Sequence, residues 1–290
     1  MSQTRAQLRN AGLKQLCRRS LGRCRVSPGP VGLRSQSQLA YVTDACGRRY
    51  IVKVHSTLDK HRREVHAYTH WTVPALGCHA PRLIAVDAAL PGILVTAVPG
   101  EPADRAARQP QAHLLVHRQA GALLRRLHDA EPATPLPDFA ARLADRLDWW
   151  LAAANDLLTA AEQHLVRRHV AALADLPPPR GVPCHLDYQP HNWLIDHTGA
   201  LRIVDFEHAR IDAAPRDLVR LAFRHWSGHP DRRAAFLAGY GRPLSDAEQR
   251  LLTHCAALDV VTCLVRARDT ANHTLAGYGH ATLRQLPPPP

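Results

Sequence analysis

The sequence predicts an α+β chain in two parts, a small antiparallel-sheet module followed by a larger, mainly helical one. Three observations carry this. Between about residues 24 and 98, short β-prone runs alternate with turn-forming residues. Beyond about residue 103, apolar residues recur at helical spacing. Within that helical part, Trp-Leu-Ile at 193–195 and Leu-Arg-Ile-Val at 201–204 flank a turn containing Gly199 and read as a short hairpin. Pro-Gly-Glu-Pro at 99–102 breaks the chain, so the two parts are expected at 1–98 and 99–290.

The elements follow in order. Residues 6–20 read as a short helix. The run Arg-Arg-Tyr-Ile-Val-Lys-Val at 48–54 alternates, so Tyr50, Val52 and Val54 share one face of a strand and Ile51 and Lys53 the other. It pairs with Leu-Ala-Tyr-Val-Thr at 39–43 through a turn ending at Gly47. Ser56 or Thr57 caps a helix running to about Trp71, and Pro74 closes that region. Two short strands, 82–86 and 92–98, complete the first part. In the second, Ala120, Leu123, Leu124 and Leu127 mark an amphipathic helix over about 111–129. A Pro-rich link at 132–137 leads to a helical stretch over roughly 138–175, stopped by the prolines at 177–179. After about 214 the pattern is helical again. Trp149 and Trp150 diverge by about 100° on a helix, so one is expected in the core and the other beside a pocket.

Composition narrows the function. No apolar run in the 290 residues approaches the length needed to span a bilayer. Residues 1–10 lack the apolar centre of a signal peptide. The seven cysteines are scattered and include no Cys-x-x-Cys pair. The expectation is a cytoplasmic protein with reduced thiols, no membrane partner, and a monomeric or weakly dimeric state. The net charge of +12 is uneven: residues 1–70 hold 14 Lys or Arg against three acids, so the remaining 220 carry only about +1. A basic first module suits a phosphate-rich ligand as well as a nucleic acid. With only four Phe in the chain, stacking platforms for bases are sparse, and no nucleic-acid partner is expected.

The chemistry concentrates near residue 190. A hairpin brings its ends together, so Asn192 before the first strand and Asp205 after the second are expected side by side. Their oxygens suit Mg²⁺, which takes one or two carboxylates plus phosphate oxygens and water. Asp187, five residues before Asn192, is placed to accept a proton from a hydroxyl as it attacks phosphorus. Cys184, His185, His191 and His197 also lie here, but their spacing lacks the paired ligands of a zinc site. Lysine is rare, only Lys14, Lys53 and Lys60 against 34 Arg. Taken alone, Lys53 reads as an exposed strand lysine.

His185-Leu-Asp187-Tyr-Gln-Pro-His-Asn192 followed by Asp205-Phe206-Glu207 resembles the aminoglycoside phosphotransferase family, a group of protein-kinase-like small-molecule kinases. The likeness runs over about residues 24–227. It implies a bilobal protein-kinase-like fold. It implies that Asp187 is the catalytic Asp, that Asn192 and Asp205 bind metal, and that Lys53 grips nucleotide phosphates while paired with Glu64. It also implies that the strand ending at Pro99-Gly100 meets adenine through its backbone. His128, closing a helix with Leu127, and Asp217, expected to brace the catalytic loop, fit the same pattern. One departure is the absence of Gly-x-Gly-x-x-Gly. Ser35 and Ser37 are candidate phosphate donors there, with an ordinary polar turn as the alternative. Glu207 is open between metal or substrate contact and turn stabilisation.

The resemblance implies transfer of the γ-phosphate of ATP or GTP, with Mg²⁺, to a hydroxyl of a small molecule, for example an aminoglycoside or other antibiotic. Metabolic acceptors such as choline, homoserine or sugars, and a catalytically silent nucleotide-binding protein, are the alternatives. Six acids against two Arg over residues 131–162 suggest a cationic acceptor, or else a solvated helix face.

Overall fold

The computed structural model describes residues 2–29, 37–87, 89–106 and 109–288, with side chains from residue 12 onward. The fold is α+β and protein-kinase-like, with a small antiparallel-sheet lobe and a larger, mainly helical one. The chain forms two compact units, one of Met1–Ala106 with Pro190–Arg210 and one of Ala107–Gln189 with Ile211–Pro290. The division is therefore not a single cut after residue 98.

In the first unit, helix α1 (Ser2–Leu21) precedes strands β1 (Cys24–Pro28), β2 (Gln38–Asp44) and β3 (Arg49–Val54). Helix α2 (Leu58–His66) follows, capped by the Thr57 hydroxyl. A turn of π-helix, Ala67–Thr72, and the short α3 (Val73–Leu76) carry the helix on past Pro74. Pro74 is tolerated because it sits in the first turn of α3, where its missing N–H costs nothing. β4 (Leu83–Asp87), β5 (Gly92–Thr96), the two-residue β6 (Glu101–Pro102) and α4 (Ala103–Ala106) end this stretch. The five-stranded antiparallel sheet has the order β1-β2-β3-β5-β4. Alternation on β3 sets its two faces. Tyr50, Val52 and Val54 join Leu13, Leu16 and Cys17 of α1 in one core, and Lys53 lies on the opposite face.

The second unit opens with α5 (Pro110–His128), the short β7 (Thr134–Pro135), α6 (Phe139–Ala154), α7 (Ala160–Ala171) and β8 (Arg180–Cys184). The stretch expected as helix over 138–175 is thus two helices. Asn155, at φ +43°, breaks it, and Thr159 with Glu162 forms a capping box that restarts it. Neither Trp of the adjacent pair is in the core. Trp149 is 64% exposed, and Trp150 packs edge-on against it at 4.7 Å between ring centroids.

The chain then returns to the first unit as the hairpin β9 (Trp193–Ile195) and β10 (Leu201–Ile203), turned at Gly199 with φ +81°. β9 pairs with β6, which attaches residues 190–210 to the first unit. β11 (Arg210–Ala213), α8 (Pro230–Tyr240), α9 (Asp246–Asp269) and α10 (His273–Gln285) finish the second unit. α5 and α8 approach so closely that a Cβ on Gly121 or Gly239 would overlap the opposing backbone. α9 is the centre of this unit. Its 24 residues are buried along most of their length, packed by α6, α7 and α10, and start at a Ser245–Glu248 capping box.

Candidate active site

The first unit builds a buried ionic cluster around Lys53. β3 places Lys53 on the sheet face away from α1, and it is only 5% exposed. Its Nζ lies 2.7 Å from Glu64 Oε2, 2.5 Å from Asp205 Oδ1 and 2.9 Å from Glu207 Oε2. Glu64, from the second turn of α2, is also buried. Its Oε2 meets His55 Nε2 at 2.5 Å, and its Oε1 accepts the Phe206 amide at 3.2 Å. Burial opposes ionisation of Glu64, but Lys53 and the His55 hydrogen bond outweigh it and bring its pKa down to about 2. Glu207 accepts from Lys60 at 2.8 Å and from the Ser37 hydroxyl at 2.8 Å. Despite its burial, these lysines hold its carboxyl well below the usual range. Asp205 follows β10 and has φ +69°, a conformation costing on the order of 1–3 kcal/mol in a non-glycine residue.

Asn192 is buried immediately before β9, and its carbonyl accepts the Val204 amide at 3.1 Å. The hairpin therefore ties together the two segments that carry Asn192 and Asp205. A carboxylate that is one-third exposed and two further carboxylates around one lysine form a hard, acid-rich donor set, to which the hairpin adds the Asn192 segment. Such a set fits Mg²⁺. Ser35 lies outside the described residues.

In the second unit, Asp187 stands at the end of a braced loop. Asp217 accepts the His185 amide at 3.0 Å and the Leu186 amide, and its Oδ2 lies 3.0 Å from His128 Nε2. Leu186 takes φ +60°, and the Asp187 amide donates to His185 Nδ1 at 3.3 Å. The Asp187 carboxylate is not left to solvent. Its Oδ1 accepts from Gln189 Nε2 at 2.6 Å and from Arg220 Nη1. Arg220 also donates through Nε to Asp259 at 3.0 Å, and Arg224 donates to the other oxygen of Asp259. Although burial disfavours a charged guanidinium, Asp259 and Asp187 hold the Arg220 pKa above its ordinary value.

Of the residues singled out from sequence, Lys53, Glu64, Asp205 and Ser37 join one cluster in the first unit, directly or through Glu207. Asn192 lies at the same hairpin, and Asp187 belongs to the second unit. Sequence reading passed over Lys60, His55, Arg220, Arg224 and Asp259. Two signals were present. Lys60 is one of only three lysines, and Asp259 interrupts the apolar run Ala-Ala-Leu-Asp-Val-Val.

Comparison with known proteins agrees with this architecture. The model of the phosphotransferase enzyme family, APH, matches residues 31–252. No curated protein sequence matches the chain. Among solved structures it is similar to aminoglycoside phosphotransferase APH(4)-Ia, with TM-score 0.69 and 15% identity over 96% of this chain and 98% of that one. It is similar to APH(2")-IIa in complex with gentamicin, with TM-score 0.69 and 14% identity over 95% and 96%. Macrolide 2'-phosphotransferase type I gives TM-score 0.64 and 19% identity over 96% of both chains. At such identities the likeness to solved structures concerns the fold, whereas the family model matches most of the sequence itself. With the match spanning the Lys53 strand, the Asp187 loop and the Asn192–Asp205 hairpin, the chain belongs to the phosphotransferase enzyme family.

Proposed function

We propose that the protein transfers the γ-phosphoryl group of ATP or GTP to a hydroxyl of a small molecule. The observation that carries this is the buried Lys53, held among Glu64, Asp205 and Glu207. A strand lysine fixed by a helix glutamate is a point charge aimed at phosphate oxygens. Asn192 and Asp205 would hold Mg²⁺, which would neutralise phosphate charge. Structures similar to this fold include complexes with GDP, AMP-PNP and ADP, consistent with a nucleotide donor.

In the transfer, the acceptor oxygen forms a bond to Pγ as the bond from Pγ to the bridging oxygen breaks. The hydroxyl proton passes to Asp187, and the nucleoside diphosphate leaves. Arg220 and Gln189 both bind Asp187 Oδ1, which fixes the carboxylate. Asp187 then works chiefly by orienting the hydroxyl and takes the proton late, as suits a loose phosphoryl transition state.

Two acceptor classes are in view. The relatives' names supply aminoglycosides and macrolides. The guanidinium groups around Asp187 favour an acceptor that carries an anionic group over a cationic one, whichever class it belongs to. The acid-rich stretch 131–162 speaks less for a cationic acceptor than its composition suggests, since Glu162 serves a capping box and Asp148 pairs with Arg167. Phosphoryl transfer from labelled ATP and GTP to a hydroxyl panel tests the function. Wild type should bind and turn over Mg²⁺-nucleotide, and Asp205→Ala should weaken that binding. A wild-type protein that binds neither nucleotide would leave a non-catalytic role.

A further inference from the structure

Asp187 sits in an excess of positive charge. Arg220 binds it, Arg224 shares Asp259 with Arg220, and a third guanidinium, Arg266, stands nearby. That makes three guanidinium groups for two carboxylates. The first two are engaged. Arg224 also approaches Cys263 Sγ at 3.6 Å and lies over the Tyr278 ring at 5.7 Å. Arg266 differs. Among the described residues its guanidinium has no hydrogen bond and no ion pair, although its carbonyl accepts from Thr270.

Its place in the fold makes this unusual. Asp259, Cys263 and Arg266 are spaced i, i+4 and i+7, so they share one stripe of α9. The first two residues of that stripe face Arg220 and Arg224. Arg266 continues it toward the same layer and is only partly exposed. Burial, together with the like charge of Arg220, holds its pKa below the ordinary arginine value. A guanidinium carries five donors; those of Arg266 reach solvent and are open to a ligand, whereas the buried donor without a partner in this layer is Arg224 Nε. Arg268, two positions on, is exposed and paired with Asp269. The unpartnered arginine is thus the one that points to the layer around Asp187.

We infer that Arg266 is the binding residue for an oxyanion carried by the acceptor, a carboxylate or phosphate close to the hydroxyl that is phosphorylated. The inference rests on the proposed phosphotransferase function and specifies its acceptor class. A planar fork of donors suits bidentate recognition of such a group. An acceptor bearing only amines would instead bring a second cation against Arg266.

The test uses the full-length chain with matched acceptors: D-glycerate and D-glucose 6-phosphate as anionic probes, glycerol and D-glucose as neutral ones, and kanamycin as a cationic one. Wild type should favour the anionic member of each pair in kcat/KM by at least about tenfold, as expected for one charge-assisted contact. Arg266→Gln should raise KM for the anionic probes about tenfold or more and leave the neutral probes within twofold. Arg266→Lys should recover part of the loss. If Arg266→Gln lowers kcat equally for all acceptors, the oxyanion is the transferred phosphoryl group and the acceptor assignment is overturned. Preference for kanamycin or for the neutral probes overturns it as well.

Calorimetry with tartrate and inorganic phosphate, at saturating Mg²⁺·ADP, covers the case in which no probe is phosphorylated. Binding should appear in wild type and vanish in Arg266→Gln, and equal binding or none overturns the inference. Arg266→Gln should also keep or raise Tm, because an unpaired cation beside Arg220 is removed; a clear fall would mean that Arg266 serves the fold. If wild type neither binds nor hydrolyses nucleotide, the phosphotransferase function itself fails, which is separable from a nucleotide-active protein with no taste for anions.

Discussion

Two ionic clusters, one in each unit, have opposite composition. In the first, a lysine is ringed by carboxylates: Lys53 meets Glu64, Asp205 and Glu207, with Lys60 on the rim. In the second, a carboxylate is ringed by donors: Asp187 meets Arg220 and Gln189, with Asp259, Arg224 and Arg266 behind. Buried charges are costly unless paired, so each imbalance marks what the cluster is built to receive. The acid-rich set suits a metal cation carried with phosphates. The arginine-rich set suits an anion beside a carboxylate already held in place. On the proposed reading the same residue classes would serve opposite ligands, and the sign of the excess is more informative than the presence of charge.

The comparison breaks most severely at Asp187. Asp187→Asn should lower kcat by about 10²–10⁴-fold, the usual range for a positioned proton acceptor, with nucleotide affinity kept. A single-turnover assay beside nucleotide titration separates the two, and wild-type turnover in the variant would remove Asp187 from the mechanism.

The next largest effect falls on the acid-rich cluster. Read from sequence, Lys53 belongs to an open strand face, and its removal should hardly disturb the fold. Its burial among three carboxylates changes that expectation. Lys53→Ala leaves them facing one another and should cost about 3–5 kcal/mol, the scale for breaking a buried pair. Chemical denaturation measures this, and a loss below 1 kcal/mol would mean that the cluster is open to water. Removing Mg²⁺ with EDTA should abolish tight nucleotide binding but leave tartrate binding at Arg266 unchanged, which sharpens the contrast between the clusters.

Acid should weaken the first cluster through Glu64. Its pKa in the folded protein is about 2, against 4.5 for a free carboxyl. A lowered carboxyl contributes its full stability above the unfolded value and loses it as pH falls from about 4.5 toward 2. Glu64→Gln should therefore be less stable than wild type at pH 7, and the gap should close through that window. Thermal melts across the range would show it, and a gap constant with pH would refute the pairing. The smallest effect lies away from both clusters. Ser245→Ala removes the cap of α9 and should cost about 1 kcal/mol with kcat unaltered.

Much of this was legible in the sequence because it depends on local order. Alternation in Tyr-Ile-Val-Lys-Val assigned Lys53 to the face opposite Tyr50 and Val52, since side chains on a strand have a period of two. The Gly199 turn between two apolar triplets gave the hairpin that links Asn192 and Asp205. The break at Asn155 was not legible, because helical propensity on both sides is high and only a left-handed residue interrupts it. That neither Trp149 nor Trp150 enters the core was hidden for a related reason. Adjacent positions on a helix must diverge, but which of them meets a neighbour depends on packing.

By itself, then, the sequence determined the family, the order of strands and helices, and the residue types proposed to carry the chemistry, because each is written in short spacings. Only the tertiary structure decided the charge balance around them. Glu207 joining Lys53 and Lys60, and Asp259 gathering Arg220 and Arg224, join residues 35 to 154 positions apart. No local pattern encodes such distances; they follow from how β3, α2 and the β10 loop converge, and from which stripe of α9 faces the layer bearing Arg220.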